Sequence, residues 1–337
     1  MGGARVGLDI GATKILGVVV AGDGTVLAQA REQTVAGPDG VLASAGTVLE
    51  RLAEAIDGPL PPDVGVGVPG IVDRRRGAVK HAVNLGLGGD WFPLAERIGA
   101  RAGALRHLGA SPAQGHFGTG PAQGRVGTGP AQGRVGAGPP RVTLENDLNA
   151  ATWGAHVLSG ADDLAYVSLG TGLAAGFVLD GVLRRGAHGA AGEIGHVPVD
   201  PAGELCSCGQ KGCLELVASG SAASAAWPSR DVPPAEALFA AAAAGDPAAG
   251  AARDRFADGV ADAIRMLGLT VDPRTIILGG GVANLGAPLL DAVAGALRAQ
   301  AATSPFLSSL DLASRLTLVP RGVPVGALGA AMIGDAG

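Results

Sequence analysis

The chain has 337 residues, 47% of them hydrophobic and 16% charged, with a formal net charge of -5 at pH 7. That length suggests about two domains with ample core, and an acidic balance without clustered Lys and Arg excludes a nucleic-acid surface, where cations must replace phosphate counterions. Asp9 and Lys14 interrupt the apolar N-terminal run RVGLDIGATKILGVVV, so neither a signal peptide nor a membrane span is expected, and the predicted compartment is the cytoplasm.

In chain order, residues 6–34 read as three antiparallel strands, with β-branched runs punctuated by Gly11 and by GDG at 22–24. Apolar residues at helical spacing (Val41, Leu42, Ala45, Val48, Leu49, Leu52, Ile56) predict a helix, and DVGVGVPGIVD returns to strand. A strand at RVTLEND, a helix at LNAATWGAHVL and a hairpin across residues 164–186 follow. The remainder is mostly helical, with a long helix over 251–271, a buried strand at TIILGGG and a terminal helix from about Gly326. Strands with a glycine turn, then helix, then strand, occur twice. The pattern predicts an α/β protein of two related lobes, residues 1–108 with 322–337 and residues 140–321.

Between the lobes, residues 109–139 repeat a nine-residue unit (GASPAQGHF, GTGPAQGRV, GTGPAQGRV) with Pro112, Pro121, Pro130 and Pro139. Its sparse apolar content cannot offset the entropy of ordering, so a disordered insertion is expected. It lacks the aspartates that calcium-binding nonapeptide repeats use.

Three kinds of motif carry chemistry. DIGATK (9–14) puts a carboxylate at a strand end before a glycine turn, where backbone N–H groups, Thr13 and Lys14 can face a polyanion and Asp9 can hold Mg²⁺ through water. LGTGLAAG (169–176) is a second such turn, and the pair could clasp a triphosphate. In LENDLNAATWGAH, Asn146 and Asp147 suit a helix cap; Asp147 beside a phosphate cleft equally suits a general base. All three cysteines, Cys206, Cys208 and Cys213, cluster with His196. An odd number at such spacing is no disulfide framework, whereas three thiolates and an imidazole fill a tetrahedral structural zinc site.

DIGATK, GVPGIVD, LENDLNAA, LGTG, RGAHGAAGEIGH, CSCGQKGCLE and ILGGGV, in this order, resemble the ROK (repressor, open reading frame, kinase) sugar kinases, bacterial glucokinases above all. The resemblance implies an actin-like, hexokinase-like (ribonuclease H-like) fold with the active site between the lobes. It also implies ATP with Mg²⁺ as phosphoryl donor, a hexose acceptor and a homodimer or homotetramer. Asp147 takes the place of the base; Asn84, Asn146, Glu193, His196 and Glu215 fall at sugar contacts. His196 then serves twice, with one nitrogen on zinc and the other facing the sugar. Gly11, Thr13, Lys14, Gly170, Thr171 and Gly172 fall at phosphate-loop positions, and Gly279, Gly280 and Gly281 at the adenosine site. Glucose is the expected acceptor, with N-acetylmannosamine, fructose and allose kinases sharing the frame and a non-catalytic sugar-binding protein as another reading. Only eight residues precede Asp9, too few for the helix-turn-helix of the family's repressors. Ala12, Ala174 and Ala175 replace customary glycines and would add strain wherever φ is positive.

Overall fold

A computed structural model describes residues 3–108 and 140–336. The nine-residue repeat of 109–139, with its expected disorder, lies outside the described residues.

The first sheet opens with β1 (Arg5–Ile10), β2 (Lys14–Val20) and β3 (Val26–Gln33), antiparallel neighbours as expected. The chain then runs through helix α1 (Pro38–Ala55), β4 (Asp63–Val68), a small hairpin of β5 (Ile71–Asp73) and β6 (Ala78–Lys80), α2 (Leu94–Leu108) and β7 (Arg141–Asn146). α1 starts with Pro38 in its first turn and Asp39 beside the positive end of the helix dipole. It buries Val41, Leu42, Val48, Leu49 and Leu52 against the sheet. Each such aliphatic side chain contributes about 1.5–3 kcal/mol on leaving water.

The sheet order is β3-β2-β1-β4-β7. β7 pairs in parallel with β4, from Asp63 opposite Arg141 to Val68 opposite Asn146. The sequence boundary at residue 140 groups this strand with the second lobe. The strand ending in Asn146 belongs to the first sheet, because its apolar face completes the core beneath β4 and α2.

α3 (Asp147–Ser159) leads to the second sheet, built from β8 (Leu164–Leu169), β9 (Leu173–Leu179) and β10 (Val182–Arg184). α4 (Gly220–Ala226), α5 (Pro234–Ala243), α6 (Pro247–Thr270), β11 (Thr275–Gly279), α7 (Ala287–Ala301), α8 (Pro305–Leu310), β12 (Leu316–Leu318) and α9 (Val325–Met332) follow. The order β10-β9-β8-β11-β12 repeats that of the first sheet, an antiparallel hairpin continued by parallel strands.

α3 and α9 lie together between the sheets. A methyl group at Gly329 would stand 1.7 Å from the Ala150 carbonyl oxygen, and one at Gly65 would stand 1.6 Å from that of Ala330. Only glycine permits backbones to approach this closely. The approach builds an inter-lobe core in which Val18 and Val20 of the first sheet meet Trp153, Tyr166, Val178, Ile277 and Leu328.

Candidate active site

A cleft of about 950 Å³ opens between the sheets, above α3 and α9. Its first-sheet wall carries Asp9 and Lys14, with Asn84 on the segment after the β5–β6 hairpin. Asp147 lies at the head of α3, and the second lobe supplies Thr171, Gly172, Glu193, His196, Glu215, Gly280 and Gly281. Of the candidates for sugar, base and nucleotide contact, five do not line the cleft: Gly11, Thr13, Asn146, Gly170 and Gly279.

Those five have local duties. In the first turn, Gly11 N–H donates to the Lys14 carbonyl at 3.0 Å, and Thr34 N–H donates to that of Thr13 at 3.1 Å. In the second, Gly170 N–H donates to the Gly172 carbonyl at 3.1 Å, and Gly220 N–H to that of Gly170 at 2.8 Å. Asn146 is the N-cap of α3: its Oδ1 accepts from Leu148 N–H at 3.0 Å and Asn149 N–H at 3.3 Å, and its Nδ2 donates to the Gly70 carbonyl at 3.4 Å. Such a cap contributes about 1 kcal/mol. At Gly279 a methyl group would stand 2.2 Å from the Tyr166 hydroxyl oxygen, so glycine is there to admit the phenol.

Tyr166 also lines the cleft, and sequence reasoning did not single it out. It is the chain's only tyrosine, is 2% exposed and stands beside Gly280. Burial, then the nearby Asp9 carboxylate, push its phenol pKa upward, so it stays protonated. Its place in strand β8, just ahead of LGTG, was the available signal.

Asp9 and Asp147 retain some exposure through the open cleft, yet protein atoms crowd both. Burial raises Asp9 to about 7, helped by repulsion from Asp147 and opposed by Lys14. Burial also raises Asp147, while N–H donation from Leu148 at 2.9 Å holds it down and Glu193 pushes it up. Repelling carboxylates of this kind suit a divalent cation, which would lower both pKa values.

The loop GEIGH reaches the cleft because it lies flat on β9. Gly192 has φ 94°, and a methyl group there would stand 1.6 Å from the Ala175 carbonyl oxygen. Ala175 N–H donates to the Gly192 carbonyl at 2.8 Å. Ala12, Ala174 and Ala175 are absent from the positive-φ residues, so none carries the strain that a left-handed site would impose.

One ligand atom from each of His196, Cys206, Cys208 and Cys213 falls within 4.8 Å of the others. His196 Nδ1 is 3.7 Å from Cys206 Sγ, and Cys208 Sγ is 3.5 Å from Cys213 Sγ. Tetrahedral zinc with bonds of about 2.3 Å to sulfur places its sulfurs roughly 3.8 Å apart, so the donors fit zinc in both chemistry and spacing. Hydrogen bonds from Gln210 lower Cys208 to about 6, whereas burial pushes Cys213 up to about 12. Glu215 adjoins this cluster: its Oε1 accepts from Cys206 Sγ at 3.1 Å and lies 3.5 Å from His196 Nδ1.

A second group missed in the sequence sits behind Asp147. Glu145, 3% exposed, accepts from Arg185 Nε at 2.8 Å and faces Arg74 Nε at 3.3 Å.

The description of the ROK family matches residues 5–105 and 139–334. The chain belongs to the ROK family. It is 30% identical over 304 residues to a glucokinase of Thermotoga maritima, covering 83% of each chain. It is also 30% identical over 286 residues to an N-acetylmannosamine kinase of Yersinia pseudotuberculosis, again covering 83% of each. A ROK family glucokinase from Streptomyces griseus, solved in complex with glucose and AMPPNP, superposes with a TM-score of 0.73 at 28% identity, covering 99% of this chain and 100% of that one. This ROK protein therefore has the actin-like, hexokinase-like fold.

Proposed function

We propose that this protein is an ATP-dependent hexose kinase, with glucose as its first acceptor and glucose 6-phosphate and ADP as products. One observation carries the reading: Asp147 heads α3 in the cleft, with Glu193, His196 and Glu215 in the same cavity as Thr171, Gly172, Gly280 and Gly281. A raised carboxylate pKa matches the work of a base that takes a proton from an attacking hydroxyl near neutral pH. Phosphoryl transfer otherwise asks for placement and charge neutralisation rather than covalent help from the protein.

In this reading Asn84, Glu193, His196 and Glu215 grip the sugar hydroxyls. The 170–172 turn, Lys14 and Gly280–Gly281 hold the nucleotide, and the Tyr166 hydroxyl is an additional polar group on that side. Asp9 would hold Mg²⁺, which when bound neutralises phosphate charge. Zinc on His196, Cys206, Cys208 and Cys213 would have no open coordination position and so would be structural, pinning the loop that presents Glu193, His196 and Glu215. His196 turns Nδ1 to the cluster, leaving Nε2 for the sugar. Unstrained backbone at the three alanines speaks against a silent sugar-binding protein. The N-acetylmannosamine kinase relative keeps that sugar as the second candidate acceptor.

ADP release measured over a panel of hexoses, with ATP and polyphosphate compared as donors, tests the assignment. Turnover with Mg-ATP that depends on glucose supports it. Preference for N-acetylmannosamine would move the protein to the second acceptor, and preference for polyphosphate would displace ATP.

A further inference from the structure

Glu145 is the acid of the β7 strand end that the proposed chemistry leaves unused. Its buried carboxylate gathers donors from three parts of the chain: Arg185 Nε at 2.8 Å, Asn149 Nδ2 at 3.2 Å and Asn146 N–H at 3.1 Å, with Arg74 Nε at 3.3 Å. Each partner leads to a different piece of the acceptor half. Arg74 sits in the turn between β5 and β6, and the chain leaving that hairpin carries His81 and Asn84 into the cleft. Arg185 follows β10 and begins the stretch that ends in Glu193 and His196. Asn146 and Asn149 flank Asp147. Because β7 belongs to the first sheet and β10 to the second, the Glu145–Arg185 pair also crosses between the lobes.

A buried carboxylate between two guanidinium groups adds little net stability, since desolvation offsets most of the attraction. Its geometry is nevertheless tightly directional, and losing the carboxylate would leave two cations facing each other. None of the donor-side residues Thr171, Gly280 or Gly281 takes part. We propose that Glu145 is a positioning residue that fixes Asn84, Asp147 and Glu193 relative to one another and thereby assembles the hexose site. The proposal deepens the hexose-kinase reading and rests on it for the class of ligand.

Calorimetric titration with a hexose panel including glucose and N-acetylmannosamine, and separately with AMPPNP, tests it on the full chain, Glu145→Gln and Arg74→Gln. Glu145→Gln is expected to weaken the sugar that the wild type binds by about tenfold or more, with AMPPNP affinity changed by less than about twofold, as misplacing an oriented site does. Arg74→Gln acts in the same direction but less, because Glu145 keeps Arg185. A folded Glu145→Gln protein with unchanged sugar affinity, or with sugar and AMPPNP weakened alike, overturns the proposal. If Glu145→Gln does not fold, Arg74→Gln decides on the same split between ligands. The wild type separates the two readings. Hexose binding without ADP release defeats the kinase assignment and leaves Glu145 testable, whereas binding of no hexose defeats both.

Discussion

The two sheets run their strands in the same order, yet they bring different chemistry to the cleft. In the first, β1 delivers Asp9 and β7 runs into Asp147; in the second, the corresponding β8 delivers Tyr166 and Ser168, and β11 runs into the glycines at 279–281. At these strand ends the first sheet presents acids, with Lys14 of β2 beside them, and the second presents hydroxyls and open backbone. The parallel strands also differ in length. β7 has six residues and holds a helix cap at its end, whereas β12 has three and carries no candidate group. A repeated scaffold therefore fixes where strand ends meet without fixing what stands on them. In the kinase reading, the acid side removes the hydroxyl proton and the glycine side accommodates phosphates and nucleotide.

Among effects on binding and stability, losing the Cys₃His metal site of the second lobe should be the largest. Chelation of metal, or Cys206→Ser, is expected to weaken hexose binding by about 100-fold and lower the melting temperature, since structural zinc contributes apparent binding of about 10 to 16 kcal/mol in small sites. Metal analysis alongside calorimetry checks it, and one zinc per chain is expected.

A smaller and more selective effect should come from Gly281→Ala. Gly281 has φ -62°, and a methyl group there meets nothing within 4 Å, so the protein itself tolerates the change. If nucleotide fills that space, AMPPNP binding falls by about tenfold while stability holds, because overpacking costs about 1–3 kcal/mol. Equal AMPPNP affinity would remove Gly281 from the nucleotide site.

The smallest effect, a few degrees in melting temperature, concerns the buried Asp9 carboxylate of the first sheet. Native Asp9 holds its proton to about pH 7, above an unfolded carboxylate at 3.8, so the native state binds more protons between those values. The stability contributed by this group is present below about pH 4 and is lost as pH rises towards 7. Asp9→Asn stays neutral throughout. Without Mg²⁺ it should therefore melt above the wild type at pH 8, with the gap narrowing at pH 5; identical gaps at both pH values would refute the raised pKa.

Much of this was legible in the sequence because it is local. The period of α1, the glycine turns, the β7–α3 junction and the Cys₃His cluster all declare themselves within a few residues. Asn146 shows the limit of that reading. Sequence suits it both to capping and to sugar contact, and the structure shows the capping: its Oδ1 accepts from Leu148 and Asn149 N–H. Glu145 could not be read at all, because Arg74 and Arg185 are brought to it by two hairpins from opposite lobes. The glycines that admit α9 are equally silent, since the backbone they let approach is distant in sequence; Gly65 meets Ala330. Strand β12 was missed because LTL is too short to show a period.

In the kinase reading, Asp147 acts on the acceptor's proton rather than on its binding. Turnover of Asp147→Asn, measured beside its calorimetric affinity for the hexose, tests this most directly. The expected result is hexose affinity within a few-fold of the wild type and turnover reduced by about two to four orders of magnitude, the range for a general base. Wild-type turnover by Asp147→Asn with undiminished hexose binding would contradict it.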